Sequence, residues 1–230
     1  MTYLEHARYR GFDGVVIACI DFNDPEVIEL VKSNIPVVTI DHLFHNRIAI
    51  MSDNAKGMED LFSYVYERGH RKIAYIHGAD SAVTQSRLST FYRMAEQKGL
   101  SIPDAYIKEA AYRNADEAYE RTRELLALED RPTCILYQDD FASFGGIKAI
   151  RQAGLKIPQD ISVAGYDGIR IAYQLEPQLT TLKQDTDSIG RLAAEQLISL
   201  IEEPKTTLIR PYIVEGYVEK GQSVRDINHT

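Results

Sequence analysis

Short apolar runs rich in β-branched residues recur along the chain, and each is followed by a longer stretch whose apolar positions repeat at helical spacing. That alternation predicts βα units wound around parallel sheets. YLEHARYR at 3–10 reads as the last turns of a helix stopped by Gly11, and GVVIACI at 14–20 as a buried strand. Asp24-Pro25 opens a helix running to 34, with Pro25 in the first turn, where a missing N–H costs nothing. Strands follow at 37–40 and 47–51, and Asp53-Asn54 caps a helix that ends near Gly69. Next come strand 72–78, helix 87–98 before Gly99, helix 115–128, strand 134–137, helix 141–153 before Gly154, and strand 161–166. Strand 180–183, helix 186–203 and a strand-like segment at 209–214 complete the series. The pattern opens inside a βα unit, so a preceding strand and most of a helix are expected upstream. Neither a Gly/Ser/Pro-rich linker nor a repeat of fixed period divides the chain, and two lobes would have to be joined by tight crossovers.

A chain of 230 residues, 44% of them hydrophobic, can bury a sizeable core as one large domain or two lobes. Its 26 basic against 34 acidic residues give a net charge of −8, a sign that repels phosphate backbones and argues against unaided DNA binding. No apolar run approaches the roughly 20 residues that cross a bilayer, and MTYLEHARYRGFDG lacks a secretory h-region, so a cytoplasmic chain with no membrane partner is expected. Cys19 and Cys134 each lie in an apolar run and read as small buried hydrophobes rather than a disulfide or metal pair.

In open parallel sheets ligands bind beyond the carboxyl ends of the strands. Those positions are polar and carboxylate-rich: Asp41 after VVTI, Asp139 and Asp140 after ILYQ, Asp167 after SVAGY, and Gln184-Asp185 after TTLK. Together with Arg87 they offer hydrogen bonds to several hydroxyls. An Asp after a strand is also the commonest helix N-cap, which is the favoured role for Asp53 and Asp140; for Asp41, Asp139 and Asp167 both roles stay open. An arginine on a helix is ordinarily solvated, and that reading stands beside the ligand role of Arg87. Asp41-His42-Leu43-Phe44-His45 has no recurring metal-ligand spacing and is not read as a metal site. Gly145-Gly146 inside a helix pattern fits close helix packing. Phosphate loops, dinucleotide turns, nucleophile elbows and metalloprotease helices are all absent from the sequence. The fourteen tyrosines are scattered and form no stacking platform for nucleic acid.

Read in order, GFDGVVI, IPVVTID, SDNAKGMEDLFSYVYERGHRKIAYIHG, SRLSTFYRMAEQKGL, DDFASFGGIKAIRQAGLKIPQDISVAGYDG and LTTLKQDTDSIGRLAAEQL resemble the lactose/galactose repressor family (LacI/GalR) over nearly the whole chain. The resemblance implies an α/β fold of two doubly wound parallel-sheet lobes, of the periplasmic-binding-protein type, joined by three crossovers and closing on a small ligand. Residues 1–52 plus 186–208 would form the N-terminal lobe, lacking its first strand and helix. Residues 53–183 plus 209–221 would form the C-terminal lobe, and 222–230 a tail. Carried over by position, the effector-contacting arginine falls on Arg87 and the aspartate of the GYD motif on Asp167. The aspartate after the second lobe-one strand falls on Asp41, the KQD glutamine on Gln184 and the aromatic contact near Tyr112. Asp139-Asp140 replaces a common Asn-Asp, Thr90 a glycine, and Gly168 follows the GYD aspartate. An acceptor-only carboxylate at Asp139 favours a ligand rich in hydroxyl or cationic donors. The family implies a small-molecule effector, most simply a sugar or derivative, a homodimer, and operator DNA bound only through a helix-turn-helix headpiece. It implies no enzyme activity, catalytic residue, cofactor or metal. The rival readings are an extracytoplasmic sugar-binding protein of a transporter, and a sugar-processing enzyme, for which no nucleophile with a base is found.

Overall fold

The computed structural model describes residues 1–228. It divides into two compact units, Met1–Asp53 with Asp185–Glu215 and Asn54–Gln184 with Gly216 onward, so the chain passes between them at three places. The first unit begins α1 (Tyr3–Arg10), β1 (Val15–Ile17), α2 (Pro25–Lys32), β2 (Val37–Ile40) and β3 (Ile48–Ser52). The second contains α3 (Asn54–Glu67), β4 (Ile73–His77), α4 (Ala82–Gln97), β5 (Ile107–Glu109), α5 (Ala115–Leu126), β6 (Cys134–Tyr137), α6 (Asp140–Gln152), β7 (Ser162–Asp167) and β8 (Thr180–Lys183). The chain then returns for α7 (Thr186–Glu202) and β9 (Pro211–Val214), and ends beside the second unit with β10 (Tyr217–Glu219).

The smaller sheet is parallel throughout, in the order β1-β2-β3-β9; the larger runs β10-β8-β7-β6-β4-β5 and is parallel except for β10, which is antiparallel to β8. Helices cover both faces of the larger sheet, so its strands are apolar on both sides, as parallel strands must be. Phe62, Phe91, Tyr75 and Leu136 fill the α3/α4 side, while Ile135, Tyr137, Leu125 and Ile150 fill the α5/α6 side. Each such side chain contributes about 1.5–3 kcal/mol when fully buried. Gly145 lets α6 lie directly against α5: a Cβ there would sit 1.7 Å from the Ala115 carbonyl oxygen.

Several sequence expectations shift. The strand expected over 14–20 stops at Ile17, and β1 is an edge strand with Val16 exposed, because it has only one neighbour, β2. Cys19, expected to be buried, lies beyond that strand at φ +56° and is exposed. Helix α4 begins at Ala82 rather than 87 because Ser81 caps it by accepting from the Thr84 N–H, which carries Arg87 into the helix body. Asp140 is not the cap of α6. Asp139 takes that role, accepting from the Ala142 N–H at 2.6 Å, and Asp140 becomes the first helical residue.

The segment 209–215, expected in the C-terminal lobe, belongs to the first unit, because β9 pairs in register with β3, Ala49 opposite Pro211 and Ser52 opposite Val214. Proline at the head of that strand fits an edge, where a missing N–H is harmless. The expected tail 222–230 is partly integral to the fold. Ser223 is buried and donates to the Val163 carbonyl, Val224 joins the core, and the Asn228 amide donates to the Glu67 carbonyl. Residues 229 and 230 of that tail lie outside the described residues.

Candidate ligand-binding site

The carboxyl ends of β4, β6, β7 and β8 in the second unit carry an unusual density of buried polar side chains. Arg87, in the second turn of α4, is 4% exposed. Its Nε donates to Asn54 Oδ1 at 2.8 Å, its Nη1 to the Gln138 main-chain carbonyl at 2.9 Å, and its guanidinium lies 3.4 Å above the Tyr166 ring centroid. The solvated-surface reading of this arginine is therefore overturned. Burial opposes the charge, but the Tyr166, Tyr112 and Tyr75 phenols and Asp167 outweigh it, and its pKa lies above the ordinary value.

Asp167 ends β7 at φ +109°, a backbone conformation that costs a non-glycine residue of order 1–3 kcal/mol. Its Oδ1 accepts from Gln184 Nε2 at 2.5 Å, and its main-chain carbonyl accepts from the Gln184 N–H at 3.2 Å. Burial pushes its carboxyl up to about 6, against the pull of Arg87 and of the Gln184 bond. Asp139, 1% exposed, already commits both oxygens: Oδ1 caps α6 and Oδ2 accepts from the Arg113 N–H at 2.8 Å. The latter bond anchors the loop that bears Tyr112. The Tyr112 ring lies over Gly78, where an added Cβ would come within 2.1 Å of it, and its hydroxyl is 2.9 Å from Thr84 Oγ1.

Sequence reasoning favoured a cap role for Asp140 and passed over Gln138, and both belong to this network. Asp140 is buried; it accepts from Thr181 Oγ1 at 2.6 Å and from the Ile169 N–H at 2.8 Å, and burial pushes its carboxyl up to about 7. Gln138, 0% exposed, donates from Nε2 to the Ala110 and Ala111 carbonyls while its own main-chain carbonyl receives Arg87. Nothing in a single sequence separates Asp140 from Asp139, because a shift of one residue in the helix start exchanges their surroundings.

Thus Arg87, Asp139, Asp167, Gln184 and Tyr112 are gathered in one unit, whereas Asp41 belongs to the other. Asp41 follows β2 at φ +60° and accepts from the Ser52 N–H at 3.0 Å. Beside it His42 stacks on Phe22, with centroids 4.5 Å apart and planes 8° from parallel, and also touches Phe44; burial lowers the His42 pKa. Among the described residues no group of three or more His, Cys, Asp and Glu could hold a metal, and no helix is long and apolar enough to cross a membrane. Two surface cavities lie elsewhere, one of about 320 Å³ beside α2 and Phe44, the other of about 490 Å³ along α4 by Leu88 and Tyr92. The second touches the cluster only at Gly78 and Thr84, so buried charge, rather than cavity size, locates the candidate site. The cluster supplies one guanidinium among carboxylates, amides and phenols, a set suited to holding a hydroxyl-rich neutral molecule reversibly.

Two units of largely parallel sheet joined at three chain passages define a fold of the periplasmic-binding-protein type. The sequence matches the family described as periplasmic binding protein-like domain over residues 62–224. It is 30% identical over 223 residues to the HTH-type transcriptional repressor PurR of Escherichia coli O1:K1, covering 93% of this chain and 65% of that protein. The fold is similar to a regulatory protein of the LacI family from Chloroflexus aggregans, with TM-score 0.85 and 27% identity, covering 96% of this chain and 80% of that one. A LacI family transcriptional regulator from Enterococcus faecium with bound ribose shares the fold at TM-score 0.86 and 24% identity, covering 98% and 84%. The chain belongs to the periplasmic binding protein-like domain family, as an effector-binding domain of the LacI/GalR type. It spans 65% of the length of the curated repressor it matches.

Proposed function

We propose that this chain senses a small neutral metabolite, a sugar or sugar derivative, on behalf of a cytoplasmic transcriptional repressor, and catalyses no reaction. The observation that carries the reading is the fully buried Arg87, held between Asn54, Gln138 and the Tyr166 ring beside Asp167. A buried guanidinium is costly unless the site uses it, and Nη2 takes no part in the bonds to Asn54 and Gln138. Arg87 Nη2 supplies donors, Asp167 accepts hydroxyl protons, Gln184 orients Asp167, and Tyr112 offers an aromatic face. Asp139 contributes by holding the Tyr112 loop. Asp41 stands at the carboxyl end of the first unit's own sheet and offers a carboxylate there. Carboxylates outnumber the guanidinium, which disfavours anionic ligands and suits polyols. The ribose held by the Enterococcus faecium regulator is a ligand of this kind.

Ligand binding regulates only if two conformations of the chain differ in affinity for the ligand. We infer that this bias is passed to a partner subunit in a homodimer, and to operator DNA through a headpiece, since a chain of net charge −8 is poorly suited to contact DNA itself. A thermal-shift screen of pentoses, hexoses, sugar phosphates and nucleobases tests the reading, because a ligand specific for the folded state raises the melting temperature. A neutral sugar should do so; stabilisation by sugar phosphates alone would reject the neutral-ligand assignment.

A further inference from the structure

Two side-chain atoms next to this cluster are buried without a hydrogen-bond partner among the described residues, the Tyr75 hydroxyl and Gln138 Oε1, and both residues are 0% exposed. Native interiors rarely leave such groups unpaired, and each one calls for a cause. Tyr75 lies on β4 and Gln138 immediately follows β6, the strand paired with it. β4 and β6 pair with Tyr75 opposite Leu136, and Gln138, two positions further on, continues the same side of the pleat. Arg87 relates to both: its Nη1 binds the Gln138 main chain, and its charge acts on the Tyr75 phenol. The Tyr75 phenol lies within electrostatic reach of Arg87, Tyr112, Tyr166 and Asp139.

The chemistry of the pair is defined. Gln138 Nε2 faces the carbonyls of Ala110 and Ala111 at 3.2 and 3.1 Å, two acceptors that an amide oxygen would not face, so Oε1 points away from them as an acceptor. Burial pushes the Tyr75 phenol pKa up, which keeps its proton available for donation.

We propose that Tyr75 Oη and Gln138 Oε1 form an inner polar subsite beside Arg87 that receives one hydroxyl of the effector. The phenol donates to the hydroxyl oxygen, and Gln138 Oε1 accepts the hydroxyl proton. The inference rests on the effector-binding reading above and narrows it: a carboxylate or an ether oxygen would leave Gln138 Oε1 without a donor, whereas a hydroxyl satisfies both atoms. A fixed water has the same chemistry, and the two arms of the test separate the sources.

The variant is Tyr75→Phe, which removes one oxygen and preserves shape. In ligand-free protein its melting temperature should equal or exceed that of the wild type, because a buried hydroxyl without a partner is removed. A fall of several degrees would show the phenol already satisfied, as by a fixed water, and would overturn the subsite. In the second arm, calorimetry measures D-ribose, D-glucose and D-galactose, with the monodeoxy analogues of whichever binds. Tyr75→Phe should weaken the parent sugar about tenfold and leave one deoxy analogue unchanged, since the partner group is already missing. Equal losses for the parent and every deoxy analogue, or no loss at all, would overturn the subsite while leaving sugar sensing intact. Failure of all three sugars to bind the wild-type protein would remove the sugar reading and the subsite with it.

Discussion

The carboxyl ends of the two sheets are built differently. In the second unit Arg87, Asp139, Asp140 and Gln138 are buried and tied to one another's surroundings by hydrogen bonds of 2.6–3.2 Å. In the first unit Asp41 is only half-buried, holds the Ser52 N–H, and neighbours a stack of Phe22, His42 and Phe44. One end is a preorganised polar network, whose members cannot be changed singly without stranding a partner. The other is a half-buried strand end whose carboxylate accepts from one main-chain N–H. Specificity for hydroxyl pattern belongs to the first kind of surface, because leaving a buried polar group unpaired is what penalises the wrong ligand.

The contrast is broken most directly at Arg87. Arg87→Met should cost about 3 kcal/mol in denaturant unfolding, by taking the donor from the buried Gln138 carbonyl and the countercharge from Asp167, and should abolish sugar-induced thermal stabilisation. Asp41→Asn should cost under about 1 kcal/mol, since an amide oxygen can still accept from the Ser52 N–H. If the Asp41 variant proved the more damaging, the comparison would reverse. Gly78→Ala comes next, at about 2 kcal/mol, because its methyl meets the Tyr112 ring. Tyrosine fluorescence and ligand titration should both report the displaced ring, and an unchanged affinity would remove Tyr112 from the site.

A smaller effect is read from pH. Asp140, raised to about 7, and Asp167, raised to about 6, bind protons more tightly in the folded state than in the unfolded chain. Their contribution is present at low pH and is lost as pH rises through the folded values. Between pH 6.5 and 8 the second unit should lose about 1 kcal/mol, nearly all of it from Asp140. This window avoids His70, which burial holds down to about 4 and whose titration favours folding as pH rises from that value toward 6.5. Asp140→Asn should flatten the melting temperature over that interval, and an undiminished slope would assign it to other groups. Least of all, Asp24→Ala removes the exposed cap of α2 and should cost about 0.5–1 kcal/mol by thermal unfolding. Asp139→Ala should cost more, because it also frees the Arg113 loop.

Much of the architecture was legible from periodicity. Each predicted βα unit has its counterpart in the structure, because amphipathic spacing and caps such as Asp24-Pro25 and Gly11 are local properties. The errors arose where a neighbour decides. Val15–Ile17 became a short edge strand because only β2 lies beside it, and 209–215 joined the first unit because β3 offers a parallel edge to Pro211–Val214. At the site, motif positions named Arg87, Asp167, Gln184, Asp139 and Tyr112. Which aspartate of the Asp139-Asp140 pair caps a helix, and which is held by Thr181 and Ile169, was not legible.

The sequence by itself determined the alternation of strands and helices, the acidic surface and the identity of the polar residues at the strand ends, since all depend on composition and short-range spacing. Tertiary structure alone decided that Arg87 is buried on the Tyr166 ring, that Asp140 is sealed beside β8, and that Tyr75 and Gln138 carry buried polar atoms without protein partners. Those properties come from desolvation and from contacts such as Arg87 to Gln138 and Asp140 to Thr181, which join residues 51 and 41 positions apart. Distances of that kind along the chain leave no trace in local pattern.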